Sequence, residues 1–180
     1  MKILSAVMGA VDKTNDFVGK ILWVGIILCS IIILYEIICR YFFNSPNVWT
    51  NELCQYIFGA YTVLTGGYLM LNNMHINVEI LYVRFPPRIK ILANIITFPF
   101  FLLFVGALLI VGVDFGWESL SKFEHSGSAW NFPVFLVKIL LPIGAFLLLL
   151  QGFVGMIRNI EALISGETVI SGNKVWEVKK

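Results

Sequence analysis

The sequence predicts an all-α membrane protein: four transmembrane helices with flanking amphipathic interfacial helices, both termini cytoplasmic. Three observations carry that expectation. Of 180 residues, 58% are hydrophobic and 13% charged, against roughly 45–50% and about 25% in a soluble domain. The mean hydropathy is +0.85. The apolar residues gather into four runs, 21–43, 49–71, 91–113 and 134–156, each 23 residues long. A helix of that length reaches about 34 Å, enough to cross a hydrocarbon core about 30 Å thick with some tilt. The same composition excludes disorder, which needs low hydrophobicity and high net charge. A net charge of +2 with scattered Lys and Arg gives no nucleic-acid surface. Cys29, Cys39 and Cys54 lie in or beside apolar runs, which argues against a disulfide framework or a zinc site.

Each element follows from its residues. In 1–20, Leu4, Val7, Val11 and Val18 share one helical face, while Lys2, Asp12, Lys13 and Asp16 fall mostly elsewhere. That pattern predicts an interfacial helix lying flat on the membrane, with a frayed tail as the alternative. The run that follows is longer than a signal-peptide core and has no small-residue cleavage site, so it is expected to stay as an anchor. Residues 21–156 form the four-span membrane domain. Span one carries Glu36 and Arg40, four apart and therefore on one face. A short turn with Asn44, Ser45 and Pro46 leads to span two, where Glu52 opens the helix at the depth of Arg40. An Arg40–Glu52 contact across this hairpin is expected. Span two is the least lipid-like: Gln55, Thr62, Thr65, three tyrosines and Gly59, Gly66 and Gly67 point to a packed interior position.

A second interfacial helix is expected over 76–85, with Ile76, Ile80 and Val83 on one face and Pro86–Pro87 ending it. Pro99 in span three and Pro142 in span four should bend their helices. Gly112-x-x-x-Gly116 is a candidate helix contact. The connection 114–132 carries Phe115, Leu120 and Phe123 toward the headgroups. Lys138, just inside span four, is expected to find Asp114 or Glu118. Residues 157–180 read as a polar cytoplasmic tail, expected to be mobile over 165–180, with local packing open to Val169, Ile170, Val175 and Trp176.

Lys and Arg set the direction. Ten lie on one side: Lys2, Lys13, Lys20, Arg84, Arg88, Lys90, Arg158, Lys174, Lys179 and Lys180. Three lie on the other: Arg40, Lys122 and Lys138. The positive-inside rule then places both termini in the cytoplasm. Trp49, Trp117 and Trp130 fall near the outer span ends, the depth such rings prefer.

Charges inside a membrane often mark a transport path. Here they all sit toward the outer ends of the spans, whereas a relay needs stepping stones at both depths. Glu36, Arg40, Glu52, Gln55, Asp114, Glu118 and Lys138 are therefore read as structural or subunit-contact residues rather than a path for cargo, and His75, after span two, is kept among the same candidates. His75 follows span two on the inner side and His125 lies in the outer connection, about a membrane thickness apart, so they cannot share one haem iron. No catalytic or phosphate-cradling motif occurs. Neither a catalytic set nor a metal or cofactor site is expected in this chain.

Several residues then form a recognisable series. Arg40-Tyr41-Phe42-Phe43, followed by Pro46, Trp49 and Glu52-Leu53, resembles the first hairpin of DctQ-like proteins, the small membrane subunits of tripartite ATP-independent periplasmic (TRAP) transporters. Gly66-Gly67, His75-Ile76, Val78-Glu79 and Pro86-Pro87 are similar to that family's inner connection. Trp117-Glu118-Ser119, Pro133, Lys138, Pro142 and 148–152 resemble its last third. The likeness spans about 20–157. It implies a bacterial inner-membrane protein that scaffolds a large elevator-type membrane subunit, served by a periplasmic substrate-binding protein, in uptake of organic acids. Sodium coupling is then expected in the large partner. Two alternatives stay open from the residues alone: a stand-alone small carrier or channel, and the membrane anchor of a redox complex.

Overall fold

The protein is described by a computed structural model covering residues 2–72, 87–165, 169–171 and 174–176. Four helices follow in order: α1 (Lys2–Phe42), α2 (Val48–Leu71), α3 (Pro87–Ser121) and α4 (Phe135–Ser165). A short antiparallel hairpin, β1 (Val169–Ser171) and β2 (Lys174–Trp176), pairs Val169 with Trp176 and Ile170 with Val175. The expected tail therefore begins later than 157, because α4 continues through Ser165, and part of it is paired strand. The interfacial helix expected over 76–85, and His75 with it, lies outside the described residues.

α4 is the centre of the bundle. It packs against α3 on one side and α2 on the other, while α1 lies mainly on α2 and touches α4 at fewer places. Among the described residues, three helices are long and apolar enough to cross a membrane: Leu4–Phe42, Ile91–Ser121 and Phe135–Glu161. α2 has 24 residues, about 36 Å, but its amides, hydroxyls and glycines make it less apolar. Burial runs opposite to that of a soluble domain. Among the described residues, the buried set has six polar or charged side chains, Asn15, Glu36, Thr50, Thr65, Ser119 and Gln151, and five large or small hydrophobic ones. Ile21, Val24, Leu28, Phe100, Leu103 and Phe104 point outward. Polar groups inside and apolar groups outside suit a hydrocarbon solvent.

The N-terminal helix expected over 1–20 is not a separate element. α1 runs unbroken for 41 residues, about 60 Å, and its first half packs on α2 and α4 instead of standing apart. The polar residues at its middle do not break it, because they bond within the helix. Thr14 Oγ1 donates to the Ala10 carbonyl at 2.9 Å, Asn15 Nδ2 to that of Val11 at 3.2 Å, and Lys20 pairs with Asp16 at 2.5 Å. α3 likewise runs past 113 to Ser121, so Asp114, Phe115, Glu118 and Leu120 lie on helix rather than in a loop.

Small residues set the helix spacings. Gly112 faces Leu141 and the Pro142 nitrogen, and Gly116 faces the Lys138 carbonyl oxygen and Pro142 Cγ. The glycine pair in α3 is thus a true helix contact. It meets α4 where Pro142 leaves the Lys138 carbonyl without its helical donor. Both α3 and α4 continue through their prolines. Gly144 of α4 lies against the Val63 main chain of α2, and Gly19 of α1 receives the Tyr68 ring of α2.

Candidate functional site: polar clamps at the two ends of the bundle

Glu36 is buried and organises the α1–α2 hairpin, at the end of the bundle that the positive-inside expectation makes outer, the opposite end being inner in that sense only. Its Oε1 accepts from Arg40 Nη2 at 2.8 Å and Nε at 3.2 Å. Its Oε2 accepts from Thr50 Oγ1 at 2.9 Å and the Asn47 amide at 3.2 Å. One carboxylate thus ties the end of α1 to the start of α2. The expected Arg40–Glu52 contact is not formed. Arg40 turns back to Glu36, one helical turn below, and Glu52 faces the other way.

Glu52 instead holds the outer connection. It accepts from Tyr56 Oη and from Ser128 Oγ, both at 2.6 Å. Ser128 Oγ also accepts the amides of Trp130 and Asn131 at 3.2 Å, and Ser126 Oγ accepts that of Phe132 at 3.2 Å. Loop 122–134 is therefore a folded cap built on two serines. Tyr56, Phe132 and Trp130 stack in sequence, with centroids 4.7 and 4.8 Å apart. Asn51, Glu52, Gln55, Tyr56, Glu124 and Ser126 line an open bowl between this cap and α2. Gln55 is exposed within it.

Lys138 also departs from expectation. Its Nζ pairs with Glu124 at 2.5 Å and lies 4.3 Å from the Phe115 ring centroid. Neither Asp114 nor Glu118 is its partner. α3 ends by a tight turn with Phe123 at φ 46 and the Glu124 amide bonded to the Ser119 carbonyl at 3.0 Å, which swings Glu124 over the start of α4. Lys138 holds the Glu124 carboxyl below its ordinary value. Glu118 pairs with Lys122 at 2.6 Å, which raises the Lys122 ammonium. Asp114 stands exposed on α3, with no hydrogen-bond or ion-pair partner among the described residues.

The inner clamp is one that sequence reasoning missed. Asn15 is fully buried, and its Nδ2 donates to Gln151 Oε1 of α4 at 2.8 Å. Gln151 Nε2 donates to Asp12 Oδ1 at 3.0 Å. Arg158 Nη2 closes the series on Asp12 Oδ2. The Asn15 side chain also rests directly on Gly67 of α2, so three helices meet at one amide. The signal was present: Asp12 and Asn15 are three apart, Gln151 and Arg158 seven apart, and both spacings keep a helical face.

The arrangement is two polar clamps separated by apolar packing; in the inner one the buried Asn15 Oδ1 has no hydrogen-bond partner. Between them, 21–35, 53–72, 91–113 and 139–157 contain no Asp, Glu, Lys, Arg or His. Among the described residues no group of three His, Cys, Asp or Glu side chains is placed to hold a metal ion. Such a chain can brace helices; it offers no ionisable stepping stones across the bilayer.

A comparison with curated proteins finds no match. A family model does match. It describes the tripartite ATP-independent periplasmic transporters, DctQ component, and it aligns with residues 29–162. The match takes in the whole outer clamp and the α4 half of the inner one, and it begins after Asp12 and Asn15. A helical, outwardly apolar chain matched over well over half its length leaves one assignment: this protein belongs to the DctQ family, the small membrane component of TRAP transporters.

Proposed function

We propose that this chain is the fixed small membrane subunit of a secondary transporter. In this reading it braces a large elevator-type subunit that itself carries the substrate and sodium sites. A periplasmic substrate-binding protein delivers an organic acid to the pair. α2 serves as the fourth span, and both termini face the cytoplasm of a bacterial inner membrane. The charge-free middle of the helices is the observation that carries the proposal. A carrier working alone needs a polar site near the bilayer midplane, whereas a brace needs rigid ends and an apolar exterior. Asp114 and Gln55, exposed and without intrachain partners among the described residues, are the proposed subunit contacts; Glu36, Arg40, Glu52, Glu118 and Lys138 keep the ends in shape.

The test is mild-detergent purification of the tagged chain from its native membrane, followed by reconstitution. A larger multi-span polypeptide should copurify, and only vesicles holding both chains should take up a carboxylate when the binding protein and a sodium gradient are supplied. Uptake by vesicles containing this chain alone would refute the proposal. So would a copurified haem with its Soret band.

A further inference from the structure

The Glu36–Arg40 pair borders a groove of about 180 Å³ between α1 and α2, lined by Ile33, Ile37, Arg40, Tyr41, Asn51 and Cys54 among others. Its two ends differ in chemistry. At one end Arg40 is half exposed, while the Glu36 carboxylate beneath it is buried. Arg40 uses Nε and one Nη2 hydrogen on Glu36. The two N–H groups of Nη1 and the second of Nη2 have no acceptor among the described residues. Asn51 adds an exposed amide beside them. At the other end the walls are aliphatic: Ile37 and Ile33 lie one and two turns down the helix and are about half exposed.

Depth decides what fits. Arg40 stands two residues before the end of α1, next to Tyr41, Phe42 and Phe43, which are 77%, 81% and 73% exposed. Tyr41, amphipathic and standing clear of the protein at a helix end, belongs to the headgroup layer. A guanidinium with free, forked donors at that depth meets phosphate oxygens, its best-matched anion. Below it, an aliphatic trough parallel to the helix matches one acyl chain.

We propose that this groove binds one phospholipid of the adjoining leaflet, its phosphate on the free N–H groups of Arg40 and an acyl chain along Ile37 and Ile33. The proposal rests on α1 crossing the membrane, and on neither its direction nor the transport role. The lipid bridges α1 and α2 from outside, as Glu36 bridges them from within. Because Glu36 balances the guanidinium's charge while taking only two of its five N–H donors, the site selects the phosphate by geometry rather than by net charge. Zwitterionic and anionic phospholipids should therefore both bind.

Native mass spectrometry of the purified protein, with whatever subunit accompanies it, tests this. The probes are phosphatidylglycerol, phosphatidylethanolamine, diacylglycerol and inorganic phosphate, added separately to delipidated protein. One retained phospholipid is expected, with diacylglycerol and inorganic phosphate each held at least tenfold more weakly. Ile33→Trp fills the trough without touching the ion pair and should weaken phospholipid retention at least tenfold. The E36Q/R40Q pair removes the guanidinium without leaving a buried charge, and should do the same. Retention unchanged in Ile33→Trp would overturn the proposal, as would inorganic phosphate binding as tightly as phospholipid. Ile37→Cys supplies a further arm: efficient cross-linking of that position to a copurified polypeptide would show that protein, not lipid, fills the groove.

Discussion

Gly144→Ala places a methyl group into the main chain of a neighbouring helix. Its Cβ would stand 2.6 Å from Val63 Cγ1, 2.7 Å from the Val63 carbonyl oxygen and 2.9 Å from the carbonyl carbon. Ordinary contact begins near 3.4 Å, so α2 and α4 must part by about 0.7 Å at this level. A side chain could rotate away, but a helical carbonyl is fixed by its own hydrogen bond. Overpacking of this kind costs about 1–3 kcal/mol. The opposing term is the helix propensity of Ala over Gly, up to about 1 kcal/mol. Gly155→Ala isolates that term, because its added Cβ meets nothing within 4 Å. Relative to Gly155→Ala, Gly144→Ala should lower the folded-to-unfolded ratio roughly 5- to 150-fold. Unfolding in a mixed detergent series, followed by fluorescence of the five tryptophans, measures the difference. Coincident transitions for the two variants would refute the close α2–α4 approach and with it the placement of α4 at the centre.

Three further outcomes follow from the clamps. Asp12→Ala and Arg158→Ala should couple in a double-mutant cycle by about 0.5–3 kcal/mol of unfolding free energy; additive effects would remove the inner ion pair. Arg40→Gln alone should destabilise the outer hairpin more than the E36Q/R40Q pair does, because the single change leaves a buried carboxylate without its cation, and hydrogen exchange at 44–50 reads the order. Glu124 has its folded value below the ordinary 4.5, so the Lys138 pair stabilises fully above that pH and its contribution fades as pH falls through the lower folded value. Unfolding midpoints followed from pH 7 to 3 should fall less steeply in Lys138→Met than in the unmodified chain.

Composition and run length alone determined that this is a helical membrane protein. Hydrocarbon imposes the same demand on every span, satisfied backbone and apolar exterior, so the signal is written into each 23-residue window without reference to any other. Local spacing was equally legible: the Glu36–Arg40 turn and the Gly112/Gly116 contact both follow from the 3.6-residue period. Partner choice between elements was not. Arg40 and Glu52 match in depth but look in different directions around the hairpin, and depth says nothing of azimuth. Lys138 finds Glu124 rather than Asp114 or Glu118 because a three-residue turn after α3 reverses the chain, and that reversal depends on Phe123 adopting a positive φ. The inner clamp joins Asp12 and Asn15 to Gln151 and Arg158 across more than 130 residues. Each member read alone is an unremarkable polar residue near a span end. Only the crossing of α1 over α2 and α4, permitted by the missing side chain of Gly67, brings them within bonding distance.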